Sequence, residues 1–150
     1  AVAQLAAATA ILNPLGLIPD RPPTTGAWGD PERLAAARAI VAPDRRYLAE
    51  DAGLLVASAA RPVVDDLFLW SRLVARDVVD PAPILAQVRE GRFAAVLSEA
   101  DLERLAAAPA FGRARWAPAL VAAVLERYRF ARCVGGEDCR GATLFLYEPR

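Results

Sequence analysis

RYLAEDAGLLVASAARPVVDD, residues 46–66, alternates short apolar runs with acidic and proline breaks, and the rest of the chain reads as cover for it. Tyr47, Leu48 and Ala49 form an apolar run that stops at Glu50-Asp51, the pattern of a buried strand ending in an acidic turn. Asp51 is placed to cap a helix over 52–60, because its carboxylate can accept from the free N–H groups of a first helical turn. Arg61-Pro62 ends that helix, since the residue before a proline is pushed out of the helical region. Val63-Val64 then resumes an extended run up to Asp65-Asp66, so the stretch predicts strand, helix and second strand. A parallel crossover usually takes a dozen or more residues between its strands, and the unit closes only around a short helix.

Toward the C-terminus, Leu69, Trp70, Leu73 and Val74 recur at helical spacing and predict an amphipathic helix over 67–77 with Trp70 in the core. Asp80-Pro81 begins another, striped by Ile84, Leu85 and Val88 and closed by Gly91. The continuous run FAAVL at 93–97 predicts a strand buried on both faces, beside the first. Ser98-Glu99-Ala100-Asp101 resembles a capping box opening a helix that ends near Pro109. From Pro118, the positions of Leu120, Val121, Val124, Leu125 and Tyr128 give the clearest helix in the chain. Strands over 129–134 and 142–148, separated by GGEDCRG, predict a hairpin that ends the chain on the sheet edge.

Toward the N-terminus, Asp30-Pro31-Glu32 starts a helix with Leu34, Ala37 and Val41 along one face. Residues 19–29, rich in Pro, Thr and Gly, read as a linker. Residues 1–18 carry no charge, and Asn13-Pro14 and Gly16 leave too few helix-friendly residues for a complete membrane span. They fit the end of a transmembrane helix, a signal-peptide remnant or a helix packed on the domain. One α/β domain is therefore expected over 30–150. The element order predicts a three-layer Rossmann-like sandwich, with three parallel strands and an antiparallel C-terminal hairpin at one edge.

Composition excludes more than it indicates. The formal net charge is zero, which points to no nucleic-acid partner and no polybasic membrane patch. All 18 basic residues are Arg, which, beside abundant Ala, reads as a genomic composition bias. The absence of His removes imidazole bases and imidazole metal ligands. No Met occurs, at position 1 or elsewhere, and this is read as a sign that the chain is a piece of a longer protein.

Glu50-Asp51, Asp65-Asp66 and Ser98-Glu99 each follow an expected strand, so an open parallel sheet would gather all three pairs at its carboxyl edge. There they form a candidate ligand or acceptor surface, able to hold a divalent metal or to act as an acid/base pair. The simpler reading makes Asp51, Asp66 and Ser98 helix caps and the rest turn residues. No glycine-rich phosphate loop accompanies them. Cys133 and Cys139 flank the hairpin turn and are read either as a disulfide, which implies an oxidising compartment, or as two free thiols. They are too few for a structural zinc site. Trp28, Phe111, Trp116 and Tyr147 are read as core or as an exposed aromatic surface.

Glu50-Asp51, Arg61-Pro62-Val63-Val64-Asp65, Phe68, Leu73, Asp80-Pro81, Arg92-Phe93 with Val96, Tyr128 and the closing Tyr147-Glu148-Pro149-Arg150 share a pattern. Over 30–150 the chain resembles the water-exposed C-terminal domain of bacterial multi-spanning membrane glycosyltransferases of the glycosyltransferase 39, dolichyl-phosphate-mannose-protein mannosyltransferase-like type. The resemblance implies a parent in the cell membrane that uses a polyprenyl-phosphate-linked sugar donor, with this domain on the extracytoplasmic side. It implies as partners the membrane-embedded part of the parent chain and a lipid-linked sugar or acceptor. Roles that fit are acceptor docking, packing on the membrane part and oligomerisation. The family's catalytic acids lie in loops between membrane helices, so no catalytic residue and no cofactor is expected in this fragment, any divalent metal belonging to the parent. The alternative is a free-standing α/β enzyme using Glu50, Asp51, Asp65 and Glu99 around a divalent metal.

Overall fold

The computed structural model describes residues 31–107, 115–134, 139 and 142–150. The apolar opening, the linker, Trp28 and Phe111 lie outside the described residues. In chain order the elements are α1 (Pro31–Ile40), β1 (Tyr47–Ala49), α2 (Ala52–Val56), α3 (Leu67–Val74), α4 (Ala82–Arg89), β2 (Ala95–Ser98), α5 (Leu102–Ala107), α6 (Pro118–Arg127), β3 (Tyr128–Val134) and β4 (Leu144–Pro149). The four strands form one mixed sheet in the order β1-β2-β4-β3. Only β1 and β2 are parallel, with Leu48 opposite Val96, and β4 runs antiparallel to both of its neighbours.

This corrects the expected Rossmann-like sandwich with three parallel strands. Val63 and Val64 lie in a bend, not a strand. The cause is local. α2 ends at Val56 in a turn that places Ala59 in the left-handed region, at φ 58°. Asp66 then caps α3, its carboxylate accepting from the Leu69 amide at 2.8 Å. Too few residues remain between these two features to return along the sheet, so Val63 and Val64 pack half-buried against the core instead. The parallel crossover closes only at β2, after residues 50–94 and three helices.

The sheet edge is also reassigned. β4 is interior and β3 is the edge. The run Leu144-Phe145-Leu146-Tyr147 is buried throughout, as a strand covered on both faces requires. Most of β3 is exposed, and it carries Arg129, Arg132 and a register shift between Phe130 and Arg132. Charged side chains and bulges are the usual protection of an open edge. Near the end of this strand, Cys133 is disulfide-bonded to Cys139, with their Cα atoms 5.6 Å apart.

Alternation along the strands sorts the core into two faces. Leu48, Val96, Phe145 and Tyr147 meet Leu67, Leu85, Val88, Leu102, Leu120 and Val124 from α3 to α6. Tyr47, Ala49, Ala95, Leu97, Leu144 and Leu146 meet Ala37, Val41, Leu54 and Leu55 from the α1 and α2 side. Helices thus cover both faces of the sheet.

The three tyrosines are buried, and each hydroxyl holds a backbone segment. Tyr47 Oη accepts from the Ala42 amide at 2.9 Å and donates to the Ile40 carbonyl at 3.2 Å, fixing the end of α1. Tyr147 Oη accepts from the Leu102 amide at 2.8 Å, at the start of α5. Burial pushes the Tyr147 hydroxyl up to about 12, with the Leu102 amide opposing. Tyr128 Oη accepts from the Phe93 amide and donates to the Phe93 carbonyl, both at 3.2 Å, where the chain leaves α4 for β2. Gly91 makes that exit possible, because its φ of 68° suits glycine and a Cβ there would stand 3.1 Å from Arg127 Nε.

Tyr128→Phe leaves both polar groups of buried Phe93 without this partner. It is expected to lower the unfolding free energy by about 1–3 kcal/mol. Urea unfolding reads this as a reduced midpoint at unchanged slope, and an unmoved midpoint would contradict it.

Candidate functional site

Parallel pairing brings the ends of β1 and β2 side by side. The Glu50 amide extends the ladder by donating to the Leu97 carbonyl at 2.9 Å, so Glu50 stands next to Ser98 and Glu99 although they are distant in sequence. The Glu50 side chain is only 6% exposed. Its Oε2 accepts from Trp116 Nε1 at 2.9 Å, from the Glu99 amide at 2.8 Å and from Ser98 Oγ at 3.1 Å. Its Oε1 accepts from Arg115 at 3.0 Å. Four donors come close to filling the lone-pair capacity of a carboxylate.

Two arginines link this acid to its neighbours. Arg115, just ahead of α6, donates to both Glu50 and Glu99. Arg33, on α1, donates to Glu99 and, at 3.1 Å, to Asp51. Asp51 also fulfils the capping role read from the sequence, its other oxygen accepting from the Gly53 amide at 2.8 Å. Ser98 Oγ accepts from the Ala100 amide, while the cap of α5 is Asp101, which accepts from the Glu103 and Arg104 amides.

Of the six acids and hydroxyls expected at the edge, Glu50, Asp51, Ser98 and Glu99 converge. Asp65 and Asp66 do not, because no strand precedes them: Asp66 is exposed and caps α3, and Asp65 is an exposed turn residue. Trp116 and Tyr147 are buried and form no exposed aromatic surface.

Sequence reasoning passed over both arginines. Arg33 lies four residues before Ala37 on the buried stripe of α1, with buried Val41 just past the helix end, and a buried arginine at a core position demands acidic partners. That signal was available. Arg115 had none, since its position follows from where α6 packs.

Burial alone would raise the Glu99 carboxyl, but hydrogen bonds and charge from Arg33 and Arg115 outweigh it and hold the group below the ordinary carboxylate range. Burial likewise opposes the charge of Arg115, and Glu99 and Glu50 outweigh it and raise its pKa. The guanidinium groups stand between the carboxylates and are ion-paired with them. Among the described residues no group of three or more His, Cys, Asp or Glu is placed to hold a metal ion. The arrangement is suited to clamping β1, β2, α1 and the start of α6 together more than to proton transfer.

The chain matches no known family model, no characterised protein and no solved structure. Among the described residues no helix is long and apolar enough to cross a membrane.

Trp116→Phe removes one donor from a buried carboxylate and is expected to cost about 1.5–3 kcal/mol, measured by chemical denaturation. A carboxyl whose pKa is lower folded than unfolded adds stability above its unfolded value, lost as pH falls through the folded one. The Glu99 contribution is therefore complete above its ordinary value of 4.5 and declines at more acid pH. Thermal unfolding from neutral to acid pH should show a shallower acid loss in Glu99→Gln than in the parent chain, and parallel curves would refute the assignment.

Proposed function

We propose that this chain is a non-catalytic accessory domain on the extracytoplasmic side of a membrane, carried by a glycosyltransferase-like parent that uses a polyprenyl-phosphate-linked sugar donor. The observation that carries the non-catalytic part is the engagement of Glu50 by four donors. An acid engaged by donors on both oxygens, with an arginine between it and Glu99, is committed to holding the fold. The chain contains no His to serve in its place. The Cys133–Cys139 disulfide supports the compartment, because such bonds persist where the surroundings are oxidising. The kind of parent rests on the resemblance over 30–150.

Two measurements test this reading separately. Alkylation of protein recovered from its natural compartment without reductant, followed by mass spectrometry, should find both cysteines protected. Two alkylated thiols would overturn the placement. Millimolar Mg²⁺ or Mn²⁺ should leave the melting temperature unchanged, whereas a rise of several degrees would mean that a cation displaces the arginines and would favour a metal-dependent enzyme.

A further inference from the structure

At the end of β1 opposite Glu50, the loop before the strand and the turn after α2 wall a groove of about 460 Å³. That volume lies within the range of small-molecule pockets. Its charged lining is Arg45, Arg46 and Arg61 against a single carboxylate, Asp44. None of these four side chains forms an ion pair among the described residues. The groove therefore holds two positive charges to spare, in a chain whose formal net charge is zero.

This differs from the carboxyl edge, where each guanidinium is already bound to carboxylates. Arg46 is held in place without being neutralised. It donates to Gln87 Oε1 at 2.6 Å, and its guanidinium carbon lies 5.8 Å from the centroid of the Phe93 ring. Pro62 and Val63 supply a half-buried apolar wall. Three arginines against one carboxylate along a groove give it a positive potential, which an oxyanion relieves. The planar fork of arginine matches phosphate oxygens in pairs, and two spare charges match a dianion.

We propose that the groove formed by Arg45, Arg46 and Arg61 is a binding site for a phosphoryl group carrying two negative charges. The site is independent of the accessory-domain reading, because it uses no residue of the carboxyl edge and no property of a parent protein. The phosphoryl group belongs either to a soluble compound or to a lipid headgroup, and the chemistry of recognition is the same.

The full chain is titrated calorimetrically with pyrophosphate at low ionic strength, and is floated with phosphatidylcholine vesicles with and without phosphatidic acid. Binding is expected in at least one arm and should weaken as salt rises. Arg45→Ala and Arg61→Ala should each weaken it roughly tenfold, and Arg61→Lys, which keeps the charge but loses the fork, should fall between. Both positions are exposed and their side chains make no bond among the described residues, so the variants keep the fold. Flotation that needs phosphatidic acid places the phosphoryl group on a lipid, and binding of pyrophosphate alone places it on a soluble compound. The proposal is overturned if neither probe binds, or if binding is unchanged in both alanine variants.

Discussion

An ionised carboxylate removed from water is tolerated only when donors surround it, and Glu50 imposes that constraint on this protein. Its four donors come from two separate parts of the chain: Ser98 and Glu99 at the end of β2, and the Arg115-Trp116 pair ahead of α6. Satisfying one acid therefore fixes the pairing of β1 with β2 and the place where α6 begins. Glu99, drawn into the same cluster, brings in Arg33 and with it the start of α1. The cluster is less a pocket than a knot in the fold.

The sheet meets a similar demand at its other polar points by a different device. Each buried tyrosine ties down backbone where a loop meets a helix or strand: the end of α1, the approach to β2 and the start of α5. Their rings contribute to the core while their hydroxyls replace water for amides and carbonyls that the ladders leave over. Strands that are only three or four residues long gain much of their definition from these anchors.

β1 thus separates two environments built largely from the same charged groups. At its carboxyl end arginines and acids neutralise one another, and the chemistry is spent on holding the fold. At its amino end arginines outnumber acids and none of them forms an ion pair among the described residues. Any recognition of a charged ligand falls more naturally to the second environment, where binding need not break an existing ion pair.

Local physics made much of this legible. Asp51 and Asp66 were recognisable as caps, and Gly91 as a helix end, because capping depends on a few adjacent residues. The apolar run at 93–97 signalled a strand covered on both faces and that at 47–49 a buried strand, which the two core clusters bear out. The convergence of Glu50 with Ser98 and Glu99 followed from the parallel pairing of their strands. Other features escaped because they turn on which distant segments meet. Val63 and Val64 have strand-like side chains, but the left-handed turn at Ala59 and the cap at Asp66 leave them no length to pair. The hairpin read as an edge, yet burial of Leu144 to Tyr147 on both faces is satisfied only by inserting β4 between β2 and β3. By itself the sequence determined caps, strand runs and the supply of edge acids, since these are set within a turn or two. Only the tertiary structure decided strand order, the arginine partners of the acids and the arginine-lined groove, because their energies exist only once residues far apart in the chain are in contact.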